Sequence, residues 1–176
     1  MGLDDVLPGR LSAWISAAEP DWDAVFGEQL PRVYNFFRYR FGETADIEDL
    51  TGRTFEKAWH ARSRYRRDLA GFSTWLLSIA RNVAADHHRR SRPHVPIEHA
   101  AVMAAGPTPE DQALRRSDGK HLAVLLARLP DRDRELIALK FGAGMNNRAI
   151  AKVTGLSESN VGTILHRAVH ALRAQW

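Results

Sequence analysis

The chain has 176 residues, 44% of them hydrophobic and 26% charged, with no cysteine and a formal net charge of +4. Such a composition belongs to a soluble globular protein of one or two small domains, not to collagen, a long coiled coil or a disordered chain. No apolar run approaches the roughly 20 residues that span a bilayer, the N-terminus MGLDDVLPGR lacks the basic-then-apolar pattern of an export signal, and the missing cysteines exclude a disulfide scaffold, a thiolate metal site and a thiol nucleophile, so a cytoplasmic protein is expected.

The charge is uneven. Residues 1–30 carry a net −5, residues 58–92 a net +6, residues 93–114 a net −3 and residues 115–176 a net +6. Two basic blocks around an acidic stretch suit two contacts with a polyanion. They equally suit two helical domains with solvated charged faces.

Residues 1–25 form an acidic N-terminal extension containing Trp14 and Trp22. Phe26, Leu30, Val33, Phe37 and Phe41 then recur at helical spacing, with Gly42 as a stop signal. A second helix is expected over 44–60, where Ile47, Leu50, Thr54, Phe55, Ala58 and Trp59 share a face. The following RSRYRRDLAG is too polar and basic for a core element and reads as a loop. Over 72–91 a third helix places Phe72, Trp75, Leu76, Ile79, Val83 and Ala84 on one face, and Arg81, Ala85, His88 and Arg92 on the other. Pro93, Pro96, Pro107 and Pro109 mark residues 92–109 as a linker. Beyond it, helices are expected near 109–128, 131–141, 146–153 and 158–173. No segment alternates as a strand does, so the fold class is all-α: two small helical domains joined by a flexible linker.

The segment NRAIAKVTGLSESNVGTILHRA fills the slots of a helix-turn-helix. Ala151 is the small residue where the helices cross, and Gly155 tolerates the positive φ of the turn. Ile150, Leu156, Val161 and Ile164 anchor the core, and Ser157 is an N-cap candidate. Ser159, Thr163, His166, Arg167 and His170 share the opposite face of the last helix. That mixture of short hydrogen-bonding groups and cations suits a helix in a major groove. His166 and His170 also have the i, i+4 spacing of a metal face, but no third ligand sits at an informative spacing. His87 and His88, beside Arg89 and Arg90, suit phosphate contacts. No phosphate-cradling loop or nucleophile elbow occurs, so neither an enzyme nor a cofactor is expected.

EDLTGRTFEKAWHARSRYR followed by FSTWLLSIARNVAADHHRR resembles the second conserved domain of bacterial extracytoplasmic-function (ECF) sigma factors of the sigma-70 family. LPDRDRELIALKFGAGMNNRAIAKVTGLSESNVGTILHRAVHALR resembles their C-terminal domain. The resemblance implies a sigma domain 2 over 26–91 and a sigma domain 4 over 110–176. It implies a non-enzymatic factor that binds core RNA polymerase, directs it to promoters and helps to open the duplex. The acidic helix with Asp46, Glu48, Asp49 and Arg53 would dock on the polymerase. Arg62, Arg64, Tyr65, Arg66, Arg67, Phe72, Arg81, Asn82, His88 and Arg89 would engage the melted −10 element, with Trp75 in the core. Ser157, Ser159, Asn160, Thr163, His166 and Arg167 would face the −35 element. Family members usually carry Lys or Arg near positions 162 and 164, where this chain has Gly162 and Ile164. The implied partners are core polymerase, promoter DNA and an anti-sigma factor, without membrane insertion, and the free chain is expected to be a monomer. The competing reading from the residues is a stand-alone helix-turn-helix regulator whose N-terminal half senses or dimerises.

Overall fold

The computed structural model describes residues 21–90 and 109–176, with side chains described over 21–90 and 118–176. Among the described residues seven α-helices follow in order: α1 Trp22–Phe41, α2 Asp46–His60, α3 Phe72–Arg90, α4 Pro109–Arg128, α5 Asp131–Ile137, α6 Asn147–Thr154 and α7 Glu158–Arg173. A 3-10 turn, Arg62–Arg64, follows α2, and α5 runs on into a π-helical turn, Ala138–Gly142. No strand occurs among the described residues, and none of their helices is long and apolar enough to cross a membrane. The expected linker and most of the N-terminal extension lie outside the described residues.

Helix ends follow local chemistry. The Asp21 carboxylate accepts from the backbone N–H groups of Asp23 and Ala24, which starts α1 four residues before the expected Phe26. Gly42, at φ +78°, ends it. The acids Asp46, Glu48 and Asp49 fill the first turn of α2, where the helix dipole favours negative charge. Pro31 lies inside α1. It has no N–H, so the Gly27 carbonyl, four residues back, loses its ladder partner; Gly27 is exposed, which leaves that carbonyl to water.

Val33, Phe36 and Phe37 of α1, Ile47 and Leu50 of α2, and Leu76, Leu77 and Ala80 of α3 form the core of the first half. The periodicity reading differs in detail. Phe26 is 47% exposed, and Phe36 takes the central place beside Phe37. On α3 the inward face includes Leu77 and Ala80, while Phe72, Trp75 and Ile79 are only half-buried. The reason is that α3 packs against α2 on one side and α6 on the other, so its buried stripe is wider than one partner would require.

The second half has its own core of Leu136, Leu139, Ile150, Val161, Leu165 and Ala168. The two cores are continuous, because α1 lies along α5 and the π-turn. Approach there is close: a Cβ on Gly142 would stand 2.7 Å from the Asn35 carbonyl oxygen. Polar contacts cross the same boundary. Arg40, with 5% of its side chain exposed, makes two parallel bonds to Asp131, at 2.6 and 2.7 Å. Arg32 donates to the Ala143 carbonyl at 2.8 Å and to Ser73 at 2.8 Å.

Candidate nucleic-acid interface

The turn between α6 and α7 is built as the sequence requires. Asn146 caps α6 by accepting from the Ala149 N–H at 2.8 Å. Gly155 leaves α6 at φ +75°, a left-handed conformation that costs a residue with a Cβ about 1–2 kcal/mol. Ser157 caps α7 by accepting from the Asn160 N–H at 3.2 Å. Val161, Ile164, Leu165 and Ala168 turn inward. Ser159, Asn160, Thr163, His166, Arg167 and His170 are exposed on the opposite face.

Two details bear on what that face can hold. The Arg167 guanidinium stands 3.2 Å from the Asp133 carboxylate, yet 67% of the side chain is exposed, so it can still reach an anion. The Thr163 hydroxyl donates to the Ser159 carbonyl at 3.1 Å, and the residue is exposed. Of the two positions where the family usually has a cation, Ile164 is 6% exposed and belongs to the core, so a charge there would not face DNA. Gly162 is half-buried, and a Cβ on it would meet only the Asn147 amide nitrogen, at 3.6 Å.

The basic loop between α2 and α3 rests on an aromatic floor. Tyr65 contacts Phe72 and Trp75, at 5.3 and 5.1 Å between ring centroids. Trp22 meets Trp59 and Phe72 edge-on, at 5.3 and 5.6 Å. Arg62 lies 4.2 Å above the Trp59 ring and donates to the Trp59 carbonyl at 2.9 Å. Arg64 and Arg67 are exposed. Arg66 pairs with Asp68 at 2.7 Å and holds that carboxyl below its ordinary pKa. Rings and cations together can serve the faces and phosphates of an unpaired strand. Trp75 is half-buried and takes part in the floor as well as the core. The sequence reading leaves Trp22 in the extension and sets Trp59 on the shared face of the second helix; Trp59 is in fact 46% exposed and joins this floor, because apolar spacing assigns an aromatic to a face but not to a cluster.

Along α3, Asn82, Ala85, His88 and Arg89 are exposed. Arg89 pairs with Asp86. His87 corrects an expectation: it turns inward, its ring edge-on to Phe41 at 4.9 Å and 3.8 Å from Asp46, and does not join His88 toward phosphate. Arg81 is half-buried and faces the second half. It donates to Glu135 at 2.9 Å and to the Val153 carbonyl at 3.0 Å. Asp46, Glu48 and Asp49 form an exposed acidic face on α2, where Arg53 pairs with Asp49 at 3.0 Å.

Residues 25–93 match the family model for Sigma-70 region 2, and residues 121–172 that for Sigma-70, region 4. Over 134 residues, covering 73% of this chain and 70% of the relative, the sequence is 31% identical to the ECF RNA polymerase sigma factor ShbA of Streptomyces griseus subsp. griseus. The chain belongs to the ECF sigma factors of the sigma-70 family. It is also 31% identical over 160 residues to the ECF RNA polymerase sigma factor BldN of Streptomyces coelicolor, covering 89% of this chain and spanning 61% of that longer relative. Among solved structures, sigma factor RpoE from Bartonella quintana, determined in complex with the anti-sigma factor NepR, has the same fold. Its TM-score is 0.68 at 22% identity, over 88% of this chain and 95% of that one. Within this sigma factor, the region 2 match takes in nearly all of α1, with α2, the basic loop and α3, and the region 4 match begins inside α4, at residue 121, and runs through the helix-turn-helix into α7.

Proposed function

We propose that this chain binds core RNA polymerase, directs it to promoters and helps to hold them open. Region 2 takes the melted −10 strand on the loop 62–71, with Arg62, Arg64, Arg66 and Arg67 along the phosphates and Tyr65 and Phe72 at the bases. Asn82, His88 and Arg89 extend that path along α3. Region 4 sets Ser159, Asn160, Thr163, His166 and Arg167 in the major groove of the −35 element, with Ser157 fixing the start of α7. The acidic face of α2 meets a basic surface of the polymerase, where complementary charge speeds encounter. The chain performs no catalysis of its own, acts in the cytoplasm and is monomeric when free. An anti-sigma factor is a further partner, of the kind that NepR is for RpoE.

The observation that carries this reading is the pairing, in one chain, of an exposed cationic loop on an aromatic floor with a capped helix-turn-helix whose polar face is exposed. The test is transcription by core polymerase from promoters of the source genome. The expected result is specific transcripts only when the chain is added. Equal transcription without it, or tight binding of a symmetric operator by a dimer without polymerase, would replace the proposal with a stand-alone regulator.

A further inference from the structure

Gly162 leaves a gap in the outer face of α7. It stands three residues after Ser159 and four before His166, so the three share one row along the helix, and both neighbours are exposed. What lies beside the gap comes from α6. A Cβ on Gly162 would stand 3.6 Å from the Asn147 amide nitrogen, and no other atom of a different element lies within 4 Å. Which end of that amide faces the gap is settled by its other partner. The Lys140 ammonium, which can only donate, bonds the Asn147 Oδ1 at 2.9 Å, so the NH2 group is the end toward Gly162. Its N–H groups have no partner among the described residues and are not sealed from solvent. Asn147 also belongs to a cleft along α7 whose polar lining is completed by Lys140, His166, His170 and Arg173, with no carboxylate among the lining residues.

We propose that the Asn147 amide is a further DNA contact: a donor that Lys140 sets through the gap at Gly162 onto a phosphate oxygen of the −35 duplex. The contact presupposes the proposed function of region 4 and extends it from α7 to α6, the first helix of the helix-turn-helix. Three features select a phosphate over a base edge. With Oδ1 turned to Lys140, only the donor end of the amide faces the gap, and the paired contact by which Asn reads adenine needs both ends. The ammonium behind the amide polarises it toward an anionic acceptor. The cleft holds cations and no carboxylate, so an anion approaches it without like-charge repulsion. Lys140 acts through Asn147 as a positioning residue, and Gly162, by having no side chain, leaves the path open.

The test titrates the chain, assembled with core polymerase, against labelled promoter duplexes of the source genome. In each duplex one −35 phosphate is replaced by a neutral methylphosphonate. Asn147→Ala leaves the Asn146 cap of α6 in place, and Asn147→Asp keeps an oxygen on Lys140 while turning a charged oxygen to the gap. Circular dichroism establishes that both variants fold. Asn147→Ala should weaken binding to the unmodified promoter about tenfold or more, the worth of a hydrogen bond to a charged acceptor. The salt slope should stay unchanged, because no charge is removed. One methylphosphonate position should weaken the parent more than it weakens Asn147→Ala, which has already lost the contact. Lys140→Met should weaken the parent and add little to Asn147→Ala. Asn147→Asp should bind more weakly than Asn147→Ala. A mere structural tie between α6 and the π-turn predicts the reverse order, since a carboxylate pairs with Lys140 better than an amide does. Parent-level affinity in Asn147→Ala, rescue by Asn147→Asp, or a loss that follows one base pair and no phosphonate position would overturn the contact while the parent still binds its promoters. A parent that binds none of them overturns the function of region 4, and this contact with it.

Discussion

Truncating Arg167 to Ala separates two ways in which α7 can hold the −35 duplex. The side chain is 67% exposed and pairs at 3.2 Å with Asp133, whose own side chain is 8% exposed. Removing the guanidinium strands a buried carboxylate, at a cost of about 1–3 kcal/mol in stability. In an Asp133→Asn background that charge is absent, so the same truncation costs at most about 1 kcal/mol, the range of exposed pairs. DNA effects are therefore best read in that background, with urea unfolding measured in parallel. If Arg167 grips a guanine by two bonds, its loss removes about 1–3 kcal/mol of discrimination at one base pair, or about 5- to 140-fold. If it grips a phosphate, affinity falls on all sequences and the salt slope drops by about 0.9. The parent then loses about 3.5-fold more affinity than the variant between 50 and 200 mM salt. Fluorescence anisotropy on −35 duplexes with single base-pair changes, at several salt concentrations, distinguishes the two. Unchanged binding at low salt would refute the assignment of the exposed face of α7 to DNA.

Changing Tyr65 and Asn82 together to Ala should reduce permanganate reactivity of promoter thymines more than it reduces closed-complex binding; parent-level reactivity would remove the strand-capture role. Reversing Asp46 and Asp49 to Lys should weaken core polymerase binding in a pull-down titration while far-ultraviolet dichroism stays unchanged, and equal affinity would clear the acidic face of that role. Gly155→Ala should lower stability by about 1–2 kcal/mol in urea, because the turn keeps its left-handed φ; a neutral result would mean that the turn relaxes. Because the bond from the Arg40 guanidinium holds the Asp131 carboxyl below the ordinary carboxylate range, its contribution to the packing of α5 on α1 is present above that range and lost as pH falls through the depressed pKa. Thermal melting followed against pH should show this loss on the acid side, and Asp131→Asn should flatten it.

The helices were legible because their signals are local. Ser157 marks a start, Gly42 and Gly155 mark an end and a turn, and the apolar spacing of α7 distinguishes Val161, Ile164 and Leu165 from Thr163 and Arg167, whereas apolar spacing alone passes over the Asp21 cap and leaves α1 four residues short. The contact between the halves was not legible, since periodicity tells which face is buried but not against what. Arg40 carried a readable trace: a charge three and four residues beyond Phe37 and Phe36 sits on the apolar stripe and calls for a buried partner. Nothing in its spacing points to Asp131. Arg81 read as an outward cation for the same reason, because on α3 considered by itself its face is open. The aromatic floor needed Trp22, Trp59 and Tyr65 from three separate segments, and only the folded chain brings them together.

Pro31 gives α1 a mechanical property. The helix is a single rod, with Trp22 and Phe26 at one end and Arg32, Phe36 and Arg40 along the other, and its ladder lacks one rung between them. A rod weakened at one place bends there before it bends elsewhere. Load applied at the aromatic end is taken up as flexure near Gly27 and does not lever Arg40 from its seat. Amide exchange would register that compliance as two protection levels within one continuous helix, lower before Pro31 and higher after it.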